Sequence, residues 1–181
     1  MRNQLLTITT TLLLTFGAAS AKNPMVGGQP MYENKNIVEN AMNSADHTTL
    51  VAAVKAAGLV DTLQSAGPFT VFAPVNAAFA KLPSGTVETL LKPENKDTLA
   101  KILTYHVVAG NMDAAGIKKA IKMGSGKAQM KTVAGGTLTA TMSGGKLILT
   151  DEKGGMSTVT IANVMQSNGV IHVIDTVVMP N

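Results

Sequence analysis

The stretch FTVFAPVNAAFAKLP, Phe69 to Pro83, packs a strand, a breaker and a new element into fifteen residues. Phe69, Val71 and Phe72 form a β-branched and aromatic run that favours a strand, and Pro74, which has no backbone N–H, ends it. A helix is expected next: Asn76 suits an N-cap, Ala77 to Leu82 favour helix as far as Pro83, and Phe79 and Leu82 fall on one face. A second stretch, SNGVIHVIDTVVMP from Ser167 to Pro180, opens on Asn168-Gly169, a pair suited to positive φ in a turn. Val170, Ile171, Val173 and Ile174 then predict a buried terminal strand that carries His172 and leads to Asp175.

Outward from these stretches the chain divides by texture. Ile37, Val38, Ala41 and Met42 predict one helix, and Leu50, Val51, Val54 and Ala57 a second, capped by Asp46 or Thr48 and stopped by Gly58. Leu59, Val60 and Leu63 add a short turn, and Ser84 to Leu91 and Glu94 to Thr104 read as further helices with Leu99, Ile102 and Leu103 inward. From Gln129 the pattern becomes β. Thr132-Val133, Thr137 to Met142, Lys146 to Thr150 and Thr158 to Met165 are separated by glycine pairs at hairpin spacing.

The N-terminus carries a different signal. Arg2 precedes an apolar run from Leu5 to Phe16 and then Ala19-Ser20-Ala21, the pattern of a cleavable secretory signal peptide over residues 1–21. Five threonines in that run make it too polar, and its twelve residues too short, for a spanning helix. The expected product is exported, periplasmic or extracellular, and not membrane-embedded. Residues 22–35 are polar, hold Pro24, Gly27, Gly28 and Pro30, and read as an extended leader; residues 36–181 are long enough for one domain.

Composition excludes several function classes. Cysteine is absent, so no disulfide, thiolate metal site or thiol redox centre is available. Without Arg2, 14 basic residues face 11 acidic ones and no block of five or more like charges occurs, which speaks against nucleic acid as a partner. Lysines 118, 119, 122, 127 and 131 gather with no acid between them, either as a solvated face or as a contact for an anionic polysaccharide or lipid surface.

A third motif, LTYHVVAG around Tyr105-His106, completes a set. In order and spacing the three motifs resemble the fasciclin-type (FAS1) domain, over a span from about Asn36 to Pro180. The resemblance implies an α+β fold, a compact wedge of mainly antiparallel β-strands with several packed α-helices. It makes Phe72, Pro74, Asn76, Phe79, Asn168, Gly169, His172 and Asp175 the structural signature. It also implies a non-enzymatic module for cell adhesion or for cell-surface and matrix contact, including contact between microbe and host. Tyr105 and His106 align with the pair that animal members use around integrin contact, and with Asp113 they form the candidate partner-binding set, the partner being a surface protein or carbohydrate.

Two departures stand out. Val75-Asn76-Ala77 replaces the usual Thr-Asn-Asp/Glu, and Asn163-Val164 occupies the place of an Asp-Ile pair, so a carboxylate suited to an integrin-type metal site is missing.

No catalytic spacing emerges from His47, His106, His172, Asp113, Asp151 and Asp175, and no cofactor or metal is expected. His106 and His172 sit among apolar residues, which fits neutral, hydrogen-bonded histidines of the interior. Tyr105 and His106 therefore have two readings, as exposed contacts or as core residues. The alternative function is a periplasmic carrier of a small ligand or copper, with His106 or His172 anchoring a cleft lined by Met and Val.

Overall fold

The computed structural model describes residues 23–181, so the expected signal peptide lies outside the described residues. The elements run in the order β1 (Met25–Val26), β2 (Gln29–Pro30), α1 (Ile37–Asn43), α2 (Thr48–Ala57), α3 (Val60–Gln64), β3 (Phe69–Pro74), α4 (Asn76–Ala80), α5 (Thr86–Leu90), α6 (Lys96–Tyr105), β4 (Val107–Ala109), α7 (Ala114–Met123), β5 (Lys127–Lys131), β6 (Thr137–Ser143), β7 (Lys146–Thr150), β8 (Met156–Gln166) and β9 (Gly169–Ile174). Seven strands form one sheet in the order β4-β3-β9-β8-β7-β6-β5. Every neighbouring pair is antiparallel except β3 and β9, which run parallel from Phe69↔Gly169 to Pro74↔Ile174. The sheet curls until its outer strands meet, with Val108 bridged to Thr132. This is the α+β architecture expected from the sequence.

The parallel pair divides the interior. Val71 and Ala73 of β3 and Ile171 and Val173 of β9 face a core built with α1, α2 and α6. Phe72 and Ile174 face the other way, into a core formed inside the curled sheet and closed by Ile117 and Ile121 of α7. All six residues of β9 are buried, which is why its sequence reads as a nearly continuous apolar run without alternation.

Local chemistry sets most boundaries. Gly58 ends α2 in the left-handed region, φ 70°, as expected from its position. Asn36 caps α1 in a reciprocal pair with Glu39: the Asn36 side chain accepts from the Glu39 N–H at 3.0 Å and Glu39 accepts from the Asn36 N–H at 2.9 Å.

Four expectations are corrected. Asn76 does not cap its own helix: Val75 occupies the N-cap, and the Asn76 side chain accepts from Thr49 N–H at 3.0 Å and donates to the Ala45 carbonyl at 2.9 Å. It thereby serves the otherwise unpaired start of α2, where His47 makes no capping bond. The helix that follows is also shorter than expected, ending at Ala80. The tight turn between β8 and β9 is Ser167-Asn168, since Gln166 pairs with Gly169. Gly169 is required by close approach, because a Cβ there would stand 2.0 Å from the Phe69 carbonyl oxygen.

The leader is the fourth. Residues 25–30 form a hairpin turned by Gly27 and Gly28, and Val26 and Met31 are buried in the first core. The Asn40 amide closes the connection, accepting from Tyr32 N–H at 3.0 Å, donating to the Tyr32 carbonyl at 2.7 Å and donating to the Gln166 side chain. Polar composition hid a segment with its own short turn and two buried apolar anchors.

Ala77 is exposed in the first turn of α4, where a carboxylate would meet the positive end of the helix. Ala77→Glu is expected to raise stability by about 0.5 kcal/mol, read as a small upward shift of the unfolding midpoint. A clear drop would contradict this reading of the helix start.

Candidate functional site

Helix α6 ends at Tyr105, with His106 as its C-cap, and the chain turns at once into β4. Tyr105 is 0% exposed and His106 2%, so neither side chain can meet a partner in the folded protein. This corrects their place in the candidate contact set and decides the choice left open above. The Tyr105 hydroxyl donates to the Thr137 carbonyl at 2.8 Å and accepts from Glu152 N–H at 3.2 Å. Gly136 lies against the ring, where a Cβ would come within 2.7 Å of it. His106 is locked by two backbone groups: Nδ1–H donates to the Ile102 carbonyl at 2.8 Å, and Nε2 accepts from Val178 N–H at 3.2 Å. Complete burial lowers its pKa to about 4, against opposing pulls from the Ile102 carbonyl and Asp151.

Tyr105→Phe keeps the ring and removes only the hydroxyl bridge. It is expected to cost about 1–2 kcal/mol in denaturant unfolding, because the Thr137 carbonyl and Glu152 N–H lose a shared partner. An unchanged midpoint would show that the bridge contributes nothing.

The other signature residues are also ties. His172 is 0% exposed, stacks on Phe72 with ring centres 5.6 Å apart, and donates from Nε2 to the Met112 carbonyl at 2.9 Å. Asp175 accepts from Thr158 N–H at 2.9 Å and Thr176 Oγ1 at 3.0 Å. Burial works to raise its pKa, but the bonds from Thr158 and Thr176, with Lys81 nearby, outweigh it and hold the carboxyl below its ordinary value. Asp151, weighed in the sequence only as an acid-base group, proves a comparable anchor: its carboxylate accepts from Lys153 and Gly155 N–H groups and, across 28 residues, from Met179 N–H at 2.9 Å.

What reaches the surface is the loop that these residues support. Ala109, Asn111 and Asp113 are exposed. Buried Thr70 holds the loop from below: its hydroxyl donates to the Gly110 carbonyl at 2.6 Å and accepts from Met112 N–H at 2.8 Å. His172 grips the Met112 carbonyl, and Gly110 N–H bonds the Pro68 carbonyl at 2.9 Å. Asp113, the one candidate contact residue at the surface, caps α7 by accepting from Gly116 N–H at 2.7 Å. Asn163, held at φ 59°, accepts from Ala114 N–H at 2.7 Å and so caps the same helix from β8. Its short amide is doing here a job that an Asp in that position would also suit.

The cleft expected for a carrier takes a different form. An apolar cavity of about 30 Å³ lies between α1, α2, α3 and the sheet, lined by Ile37, Leu50, Val54, Val71 and Ile171 among others. His47, rather than His106 or His172, borders a cavity, a space of about 10 Å³ shared with Met31, Ser44 and Val164. Its Nδ1 pairs with Ser44 Oγ at 2.8 Å, and its buried Nε2 has no hydrogen-bond partner among the described residues. No group of three His, Cys, Asp or Glu side chains stands at metal-binding distance among the described residues.

The fasciclin domain profile matches residues 45–180, three quarters of the chain. The chain belongs to the fasciclin domain family. A relative in Synechocystis sp., Protein sll1483, is 52% identical over 144 residues, covering 80% of this chain and 73% of the relative. Immunogenic protein MPB70 of Mycobacterium bovis is 39% identical over 145 residues, covering 77% of this chain and 66% of the relative. Among solved structures, a FAS1 domain pair from the insect cell adhesion molecule Fasciclin I superposes with a TM-score of 0.69 at 19% identity, over 78% of this chain and half of that one, and so shares the fold. Within the fasciclin domain, then, the motif residues Tyr105, His106, Asn168 and His172 of this chain form a buried frame.

Proposed function

We propose that this fasciclin domain is an exported, non-enzymatic binding module for cell-surface or matrix contact. The observation that carries the reading is the Ala109–Asp113 loop, a surface segment fixed from beneath by buried Thr70 and His172. A loop already held in one conformation loses little entropy on binding, which is what a recognition element on a rigid scaffold requires. Export is supported by the signal-peptide pattern of residues 1–21, and no helix among the described residues is long and apolar enough to cross a membrane. The likeness to a domain pair of a cell adhesion molecule agrees with the reading.

The test is adhesion of beads carrying the purified chain to intact cells of the producing organism. Asn111→Arg places bulk and charge on the exposed loop without touching its supports and is expected to reduce bead retention at least tenfold. Retention equal to wild type would remove this loop from the contact. The Tyr105→Ala/His106→Ala pair is unsuited to this purpose, because emptying two fully buried sites tests folding instead.

A further inference from the structure

The lysines that cluster in sequence separate in the fold. Helix α7 packs Ile117 and Ile121 onto the inner side of the curled sheet and turns Lys118, Lys119 and Lys122 to solvent. On β5, Ala128 and Met130 face that same core, so Lys127 and Lys131 project from the opposite, outer side of the sheet.

That outer side has a distinct composition. Strand alternation places Thr137, Thr139 and Thr141 of β6, Thr150 of β7 and Thr158 of β8 on it, all half-buried, while their neighbours Leu138, Ala140 and Leu149 are buried beneath. Register aligns them in rows: Lys127, Thr141, Ile148 and Thr158 lie side by side, and Gln129, Thr139, Thr150 and Met156 form the next row. Lys131 stands opposite Thr137, and Lys146 opposite Ser143. Among the described residues the five threonine hydroxyls make no hydrogen bond within the chain, and no Asp or Glu projects from these rows. Two acids border the rows at their ends: Glu152, held by Thr137 N–H and Asn181 N–H, and Asp175, held by Thr158 N–H. Among the described residues the helix that packs on β5 and β6 is α7, and it lies on the inner side.

We propose that the outer face of β5, β6 and β7 binds an extended polyanion bearing hydroxyl groups, an acidic polysaccharide. Three features choose this occupant. On this face the residues of β5, β6 and β7 supply three ammonium groups and no Asp or Glu, so its charge complements an anion. Strand geometry sets Lys127 and Lys131 about 13 Å apart along β5, four residues at 3.3 Å each, with Lys146 two strands across. One small anion meets only one of them, whereas a chain with repeated charges meets all three as they stand. Between the lysines lies a regular array of free hydroxyls without an aromatic ring, which suits hydrogen bonding to a hydroxylated, charged sugar and offers no stacking platform for a neutral one. This surface lies on different elements from the Ala109–Asp113 loop, and its test is independent of that reading.

The purified chain is applied to immobilised heparin, polyphosphate and neutral dextran, and the salt needed for elution is recorded. Heparin is expected to retain the wild type and neutral dextran to pass it. K127Q/K131Q/K146Q is expected to elute from heparin at less than half the wild-type salt concentration. K118Q/K119Q/K122Q removes the same three charges from α7 and is expected to stay close to wild type. T139V/T141V is expected to weaken retention on heparin more than on polyphosphate. Equal loss by both lysine triples would overturn the proposal in favour of whole-molecule charge. So would absence of heparin retention, or a threonine variant that changes nothing. All substituted lysines are exposed, and circular dichroism of each variant verifies that the fold persists.

Discussion

Asn168→Ala is expected to cost about 3–5 kcal/mol of folding stability, the largest effect of any single substitution considered for this chain. The Asn168 side chain, 6% exposed, stands where three segments meet. Its Oδ1 accepts from Ile37 N–H at 3.1 Å, the first residue of α1, and its Nδ2 donates to the carbonyls of Leu63 at 2.7 Å and Ser65 at 2.9 Å at the end of α3. Helix ends leave such groups without partners inside the helix, so one amide completes the start of one helix and the finish of another. Truncation strands a buried donor and two acceptors at roughly 1–3 kcal/mol each, less what solvent recovers at the edges. Against a total of about 5–15 kcal/mol for a domain, that is a large fraction.

Two further substitutions separate this cause from mere loss of bulk. Asn168→Asp keeps the acceptor for Ile37 but replaces the donor with a carboxylate oxygen facing two carbonyls, so it is expected to be at least as damaging at neutral pH. Ser167→Ala, next to it in the same turn and exposed, is expected to stay within about 0.5 kcal/mol of wild type. Urea midpoints for the three variants check the ordering. A loss below 1 kcal/mol for Asn168→Ala would mean that the two helix ends are satisfied in some other way.

Asn168 also marks where sequence reading stopped. Features that depend on neighbouring residues were legible: the glycine-punctuated hairpins of β6, β7 and β8, the Gly58 stop, and β3 ending at Pro74. Those that depend on distant partners were not. Asn76 looks like a local cap and Asn168 like a local turn residue, yet the side chains of both serve helices far along the chain, 27 residues away for Asn76 and Thr49, and 131 for Asn168 and Ile37. The parallel pairing of β3 with β9 joins segments about a hundred residues apart and leaves no periodic trace. Other misses had a visible signal. Gly27-Gly28 between short apolar-bearing pairs is a hairpin turn, Asp113 followed by Ile117 and Ile121 is a capped amphipathic helix, and Lys127 to Lys131 alternates as a strand. At the candidate site the same rule holds: the residue types at 105 and 106 suit a contact or a core equally, and only the fold places Thr137, Glu152, Ile102 and Val178 around them.

The second large effect is acid destabilisation from the buried histidines. His47, His106 and His172 are 3%, 2% and 0% exposed, and burial lowers the pKa of each from the ordinary 6.5, that of His106 to about 4. Above pH 6.5 all three are neutral in both the folded and unfolded chain, and their contribution does not vary. As pH falls below 6.5 the unfolded chain takes up protons that the folded one refuses, so the equilibrium shifts toward unfolding until the folded pKa is reached. For His106 alone, a difference of about 2.5 pKa units at 1.36 kcal/mol each gives roughly 3 kcal/mol lost by pH 4. A proton on its Nε2 would also displace the Val178 N–H bond and leave an uncompensated cation in the core. His47 and His172 act in the same direction, and Asp175, held below its ordinary pKa, extends the loss below about pH 3.8. Urea unfolding from pH 7.5 to 4 is therefore expected to show a flat region above pH 6.5 and a fall of at least about 3 kcal/mol below it. His106→Gln, which can place its amide between the same two backbone groups, is expected to be less stable at pH 7.5 but to lose less on acidification. A variant as acid-sensitive as wild type would locate the linkage elsewhere, and a flat wild-type profile would mean that these histidines are not held neutral inside the fold.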